Sequence, residues 1–92
     1  DVARYMVQIT AATRTHGDLR LGVSPRGTLA LARGSQGMAF LRGKGFVTPD
    51  IVKMMAGAIL EHRLIVRPQA AAAGRTAREI LNQILGELPP PV

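Results

Sequence analysis

Three times along the chain a hydroxyl side chain stands where a helix must begin: Ser24-Pro25, Thr48-Pro49 and Thr76-Ala77-Arg78-Glu79. In the first two, a residue able to cap free backbone amides precedes a proline whose fixed φ suits the first helical position. The third is a capping box, with Thr and Glu three residues apart. Punctuation this frequent excludes one long helix and cuts the chain into short ones.

Apolar spacing agrees with those cuts. The first helix runs from Val2 to about Arg14, with Val2, Tyr5, Met6, Ile9 and Ala12 on one face and a stop at His16-Gly17-Asp18. The second runs from Pro25 to about Leu41. Gly34, Ser35 and Gly37 lie inside it, each glycine costing about 1 kcal/mol against alanine, so a thin or locally bent helix is predicted. The third starts at Pro49, places Asp50 at its positive end, carries an apolar face of Ile51, Met55, Ala58 and Ile59, and closes at Glu61-His62-Arg63. The last starts at Thr76, with the cleanest stripe, Ile80, Leu81, Ile84, Leu85 and Leu88, and Pro89-Pro90-Pro91 ends it. Leu19 to Val23 alternates as a connector or minimal strand. Arg42-Gly43-Lys44-Gly45 is a turn, Phe46-Val47 a short extended piece and Leu64-Ile65-Val66 another strand-like run. Residues 69–75, with four consecutive alanines, read as linker or frayed helix. The expected fold is all-α: a small four-helix bundle with one or two very short extended connectors.

At 92 residues there is room for one domain. We expect it to occupy residues 1–88, with a Pro-rich tail at 89–92. A 47% hydrophobic and 20% charged composition is that of a globular chain. The aromatic residues are Tyr5, Phe40 and Phe46 only, too few for the stacking platforms of sheet-based RNA binders. The lack of cysteine removes disulfides, thiolate zinc sites and cysteine nucleophiles, and fits a reducing, cytoplasmic setting. The longest apolar run, Ile51 to Leu60, is broken by Lys53 and falls short of the roughly 20 residues of a membrane span. We expect no membrane partner. Because the chain opens on Asp1 rather than Met, it is expected to be part of something longer.

The inventory for independent catalysis is thin, and no catalytic or metal-binding residue is assigned. His16 and His62 have no second ligand or carboxylate at metal or triad spacing, and the acidic residues are scattered. Gly43-Lys44 suggests a phosphate loop, but Met38 occupies the first glycine position and Gly45 replaces the hydroxyl. Gly17 and Gly22 have the glycine spacing, yet Val23 follows where lysine is required. The formal charge is +6, and ten of the twelve basic residues are arginine. These read either as seekers of planar anions or as a solvated surface. Arg26 fits the bland reading worst. A cation in a helix's first turn opposes the macrodipole by a few tenths of a kcal/mol. That conflict vanishes if an anion sits beside the free amides and the guanidinium.

Leu21-Gly22-Val23-Ser24-Pro25-Arg26-Gly27, then Phe46-Val47-Thr48-Pro49-Asp50-Ile51-Val52, then Leu60-Glu61-His62-Arg63-Leu64 together resemble the C-terminal lid of the MoxR-type AAA+ ATPases. The likeness covers nearly the whole chain. In that family the first stretch is a Gly-Ala-Ser-Pro-Arg-Ala type motif whose arginine is sensor 2. The resemblance implies a helical AAA+ lid-type bundle in which Arg26 reaches the outer phosphates of ATP, with Ser24 and Pro25 shaping the helix start. It also implies ATP and Mg2+ as cofactors of the parent protein, with none bound by this fragment alone. The implied partners are the parent's own N-terminal AAA+ nucleotide-binding domain, further copies in a hexameric ring, and proteins with von Willebrand factor A domains. The family's role is chaperone-like maturation of protein complexes. Gly27 departs from the family's alanine, as do Gly34, Ser35 and Gly37 from helix-favouring residues.

Two other readings compete. A basic helical nucleic-acid-binding module is the alternative that the +6 charge supports, but the arginines are spread over all segments and no helix shows a dense basic face. A protein-interaction bundle would dock through Met54-Met55 and the Ile80 to Leu88 stripe.

Overall fold

The computed structural model describes residues 2–91; Asp1 and Val92, the outer ends of the expected domain and tail, lie outside the described residues. The elements are α1 (Val2–Thr15), β1 (Leu19–Leu21), α2 (Pro25–Leu41), α3 (Pro49–Leu60), a 3-10 turn (Glu61–Arg63), β2 (Ile65–Val66), α4 (Pro68–Ala72) and α5 (Ala77–Glu87). Four of the helices are those the spacing predicts. The fifth, α4, resolves residues 69–75: Pro68 opens a five-residue helix, and Gly74 ends the segment with φ of 92°.

All three hydroxyl starts form as the sequence dictates. The Gly27 N–H donates to Ser24 Oγ at 3.3 Å, and the Ile51 N–H to Thr48 Oγ1 at 3.3 Å. In the capping box, the Glu79 N–H donates to Thr76 Oγ1 at 3.2 Å while the Thr76 N–H donates to Glu79 Oε1 at 3.1 Å. Each bond satisfies a first-turn amide that the helix itself leaves without an acceptor.

The short strands β1 and β2 pair antiparallel, with Leu19 opposite Val66 and Leu21 opposite Ile65 around an irregularity. Arg67 N–H to Asp18 O at 2.8 Å extends the pairing. Phe46-Val47, expected as a short extended piece, joins no strand pair among the described residues. It finds no partner, and backbone extension without one is only a loop. Gly43, with φ of 69°, makes the preceding turn.

The core is aliphatic and gathers Ile9, Val23, Leu31, Val52, Leu60, Ile80 and Leu81 around the ring of Tyr5. On α3 the fully buried line is Val52, Ala56 and Leu60, while Ala58 is exposed, so the buried face is rotated from the predicted one. Ile51 is buried beside that line, and Met55 and Ile59 fill the side facing α2. Because Ile80, Leu81 and Ile84 are core, the α5 stripe is not a docking surface. Phe40 and Phe46 are 81% and 70% exposed, at the far end of the α2–α3 hairpin. Among the described residues no helix is long and apolar enough to cross a membrane.

The glycines in α2 do not break it: the helix is continuous over 17 residues. A side chain at Gly34 would run into Ile59 and Met55, so the missing Cβ admits α3 at close range. Packing recovered there offsets the propensity that glycine forfeits. Burial followed by the Asp50 carboxylate raises the Tyr5 phenol above its usual 10.0, so that it stays neutral.

Ser35 is fully buried on the same helix, and its hydroxyl has no hydrogen-bond partner. Its burial therefore costs free energy without return. Ser35→Ala is expected to stabilise the domain by about 1 kcal/mol, removing the orphaned hydroxyl and improving helix propensity. A shift of the urea midpoint to higher concentration at constant m-value checks it.

Candidate anion-binding site at the start of α2

The site begins with a glycine. A Cβ at Gly22 would lie 2.6 Å from the Thr13 carbonyl oxygen and 2.7 Å from the Arg14 amide nitrogen, so only glycine lets the chain leave β1 across the last turn of α1. The next residue is then locked from both sides. The Val23 N–H donates to the buried Thr13 Oγ1 at 2.9 Å, and the Val23 carbonyl accepts from Arg14 Nε at 2.8 Å. Ser24 follows as the N-cap with φ −74° and ψ 167°, and Pro25 opens α2.

This geometry decides which backbone groups face outward. Pro25 has no N–H and the Gly27 N–H is taken by Ser24, which leaves the Arg26 amide as the open donor of the first turn. The Arg26 side chain is exposed and meets no acceptor or carboxylate among the described residues. Ser24, Pro25 and Arg26, the three site residues predicted from the sequence, thus lie together at one solvent-facing helix start. The arrangement suits an oxyanion, which would accept from the amide and pair with the guanidinium.

Sequence reasoning missed what surrounds this turn. Arg14, Arg20 and Arg63, with Gly22, Val23 and Ser24, line a cleft of about 400 Å3 beside it. The arginines spread along the sequence are therefore partly gathered by the fold, from the end of α1, from β1 and from the 3-10 turn. Their separation in the chain hid this, and no local pattern signals it. Arg26 is not among the walls of the cleft.

Gly27 is buried, and a Cβ there would lie 2.5 Å from Val23 Cγ1 and 3.3 Å from Arg63 Cδ. Val23 thus fills the space that an alanine at 27 would occupy. Relative to the Gly-Ala-Ser-Pro-Arg-Ala pattern, position 23 has grown and position 27 has shrunk, so the two positions share one space.

The two histidines lie apart, and only His16 makes side-chain hydrogen bonds among the described residues. His16 Nδ1 accepts from the Asp18 N–H at 3.0 Å, and Nε2 lies 3.3 Å from Gln83 Oε1. His62 is exposed in the 3-10 turn. Among the described residues no three His, Cys, Asp or Glu side chains gather as metal ligands.

Comparison with known proteins places this geometry in context. A family model described as the AAA lid domain matches residues 11–84. The chain is 36% identical over 91 residues to the uncharacterized protein YeaC of Bacillus subtilis (strain 168), covering 99% of this chain and 28% of that protein. It is 28% identical over 90 residues to Chaperone MoxR1 of Mycobacterium tuberculosis (strain ATCC 25618 / H37Rv), covering 88% of this chain and 24% of that protein. A crystal structure from Cytophaga hutchinsonii ATCC 33406, described as a "putative ATPase", superposes with a TM-score of 0.92 at 28% identity, over 99% of this chain and 30% of that one. The chain spans less than a third of the length of each of these relatives.

Two outcomes check the packing beneath the site. Gly22→Ala should destabilise the domain by about 2 kcal/mol or more, since a methyl pressed on backbone has nowhere to go; calorimetry reads this as a lower Tm. Gly27→Ala should cost about 1–3 kcal/mol alone and much less on a Val23→Ala background. A double-mutant cycle with a coupling energy near zero would refute the exchange of volume between the two positions.

Proposed function

The chain belongs to the AAA lid domain family, a lid of the MoxR-type AAA+ ATPases, and from that premise we propose that it senses the phosphates of ATP for a larger nucleotide-hydrolysing protein. The observation that carries this reading is the unpaired, exposed Arg26 beside the open first-turn amide of α2. Ser24 and Pro25 fix where that turn starts. Arg26 then stabilises charge on the outer phosphates, with ATP supplying the anhydride bond that is broken.

The residues present fit a phosphate and do not fit Mg2+. Mg2+ prefers oxygen ligands such as carboxylates, and none converge among the described residues. Its ligands belong to the nucleotide-binding domain that this lid covers. In this reading that domain is the lid's first partner, copies of the parent assemble in a hexameric ring, and phosphate state is converted into lid orientation. The work done is chaperone-like maturation of protein complexes in the cytoplasm, with proteins bearing von Willebrand factor A domains as partners. The match to a chaperone of the MoxR name supports that direction.

Arg26→Ala in the parent protein is expected to lower steady-state ATP turnover on the order of tenfold or more, as loss of a charge-stabilising donor does. The lid's melting temperature should not fall, because Arg26 is exposed. Unchanged turnover in a folded variant refutes the sensor role.

A further inference from the structure

The arginine-lined cleft is not needed for the sensor reading, because Arg26 does not border it. We propose that it is a second oxyanion site, which takes the phosphate chain of a polyphosphorylated ligand through Arg14, Arg20 and Arg63. This goes beyond the role of Arg26 and does not rest on it.

The cleft concentrates positive charge that the protein leaves uncompensated. No carboxylate lines it. Two of the nearest acids in sequence are already engaged: Asp18 lies 3.3 Å from Arg75 Nε, and Glu61 accepts from Arg78 Nη2 at 2.8 Å. Arg20 and Arg63 have no hydrogen-bond or ion-pair partner among the described residues. Arg14 is held in place through neutral acceptors, the Val23 carbonyl at 2.8 Å and Thr28 Oγ1 at 3.4 Å, which orient its guanidinium but leave its charge unmatched. Like charges brought to one concavity raise its potential, and an anion relieves that cost.

The cleft is also built rather than incidental. The Arg63 stem lies across Gly27 and is positioned by it, since a Cβ there would come within 3.3 Å of Arg63 Cδ. Arg14 is tied to the same turn. The Arg14 guanidinium is thereby anchored, and the Arg63 stem packed, before any ligand arrives, which lowers the ordering cost of binding. Arginine's planar fork matches phosphate oxygens bidentately. At about 400 Å3 the space exceeds what one phosphate fills and falls within the usual range for small ligands. A chain of phosphates matches both its charge and its length, whether it comes from a nucleotide or as free inorganic polyphosphate.

The test is a titration of the chain with inorganic tripolyphosphate, followed by NMR of the backbone amides and arginine Nε–H groups. Saturable shifts are expected at Gly22, Val23 and Ser24 and at the side chains of Arg20 and Arg63. Arg20→Gln and Arg63→Gln should each weaken binding roughly tenfold or more. Arg42→Gln, at the other end of α2, should change it less than about twofold. Arg63→Lys keeps the stem over Gly27 and should bind between wild type and Arg63→Gln, so a packing defect is told apart from loss of the fork. A parallel titration with ATP assigns the source: tighter binding than tripolyphosphate points to a nucleotide, equal binding to the phosphate chain alone. The proposal is overturned if a natively dispersed Arg63→Gln variant binds like wild type. It is also overturned if Arg42→Gln weakens binding as much, which is diffuse attraction to a basic chain. ATP turnover of the Arg26 variant reports separately on the sensor reading.

Discussion

Everything at the basic end of the molecule depends on the backbone of Gly22 lying directly on the last turn of α1. That approach, 2.6 Å to the Thr13 oxygen for any added Cβ, exists only because position 22 carries none. Once it is made, the buried Thr13 hydroxyl accepts from Val23 and donates to the Thr10 carbonyl at 2.6 Å, while Arg14 holds the Val23 carbonyl. Both polar groups of Val23 are thus satisfied inside the domain, as buried backbone requires. The helix start one residue later inherits a fixed position and direction. A free connector of the same length would have to be ordered at about 1–2 kcal/mol per residue each time a ligand bound.

The same contact explains why so much positive charge collects without unfolding the domain. Arg14 reaches neutral oxygens, Arg63 has its aliphatic stem over Gly27, and Arg26 is exposed to solvent. Each guanidinium is stabilised by something other than a carboxylate. The acidic residues are spent elsewhere, Asp18 and Glu61 on Arg75 and Arg78, and Glu79 on capping α5. One face is therefore electropositive by allocation, although the whole chain carries only +6.

What the sequence makes legible is what local chemistry decides. Ser24, Thr48 and Thr76 announce their helices because capping involves only neighbours in the chain, and Arg26 stands out because its conflict with the helix dipole is equally local. The Ser24-Pro25-Arg26 turn could therefore be found before any fold was known. Arg20 and Arg63 could not, since 43 residues separate them in sequence and only the pairing of β1 with β2 and the docking of the 3-10 turn bring them to one cleft. The glycines of α2 mislead for the related reason that propensity counts the missing side chain and not the neighbour that takes its place. Gly34 reads as weakness and is where Ile59 and Met55 of α3 pack against α2. Ala58 reads as core by spacing alone, yet the burial of Val52, Ala56 and Leu60 turns it outward.

With α2 fixed at its start by α1 and backed by α3, its two ends are mechanically one object. Seventeen residues make a rod of about 25 Å at 1.5 Å per residue. Arg26 stands at one end, and Phe40 and Leu41, 81% and 77% exposed, stand at the other. A tilt of about 10° imposed at the arginine end would carry the apolar end about 4 Å, further than a van der Waals contact tolerates. Any such tilt is carried by the domain as one rigid piece, because α2 is held by α1 at its start and by α3 along its side. The close packing of Ile59 and Met55 over Gly34 backs the helix along its middle.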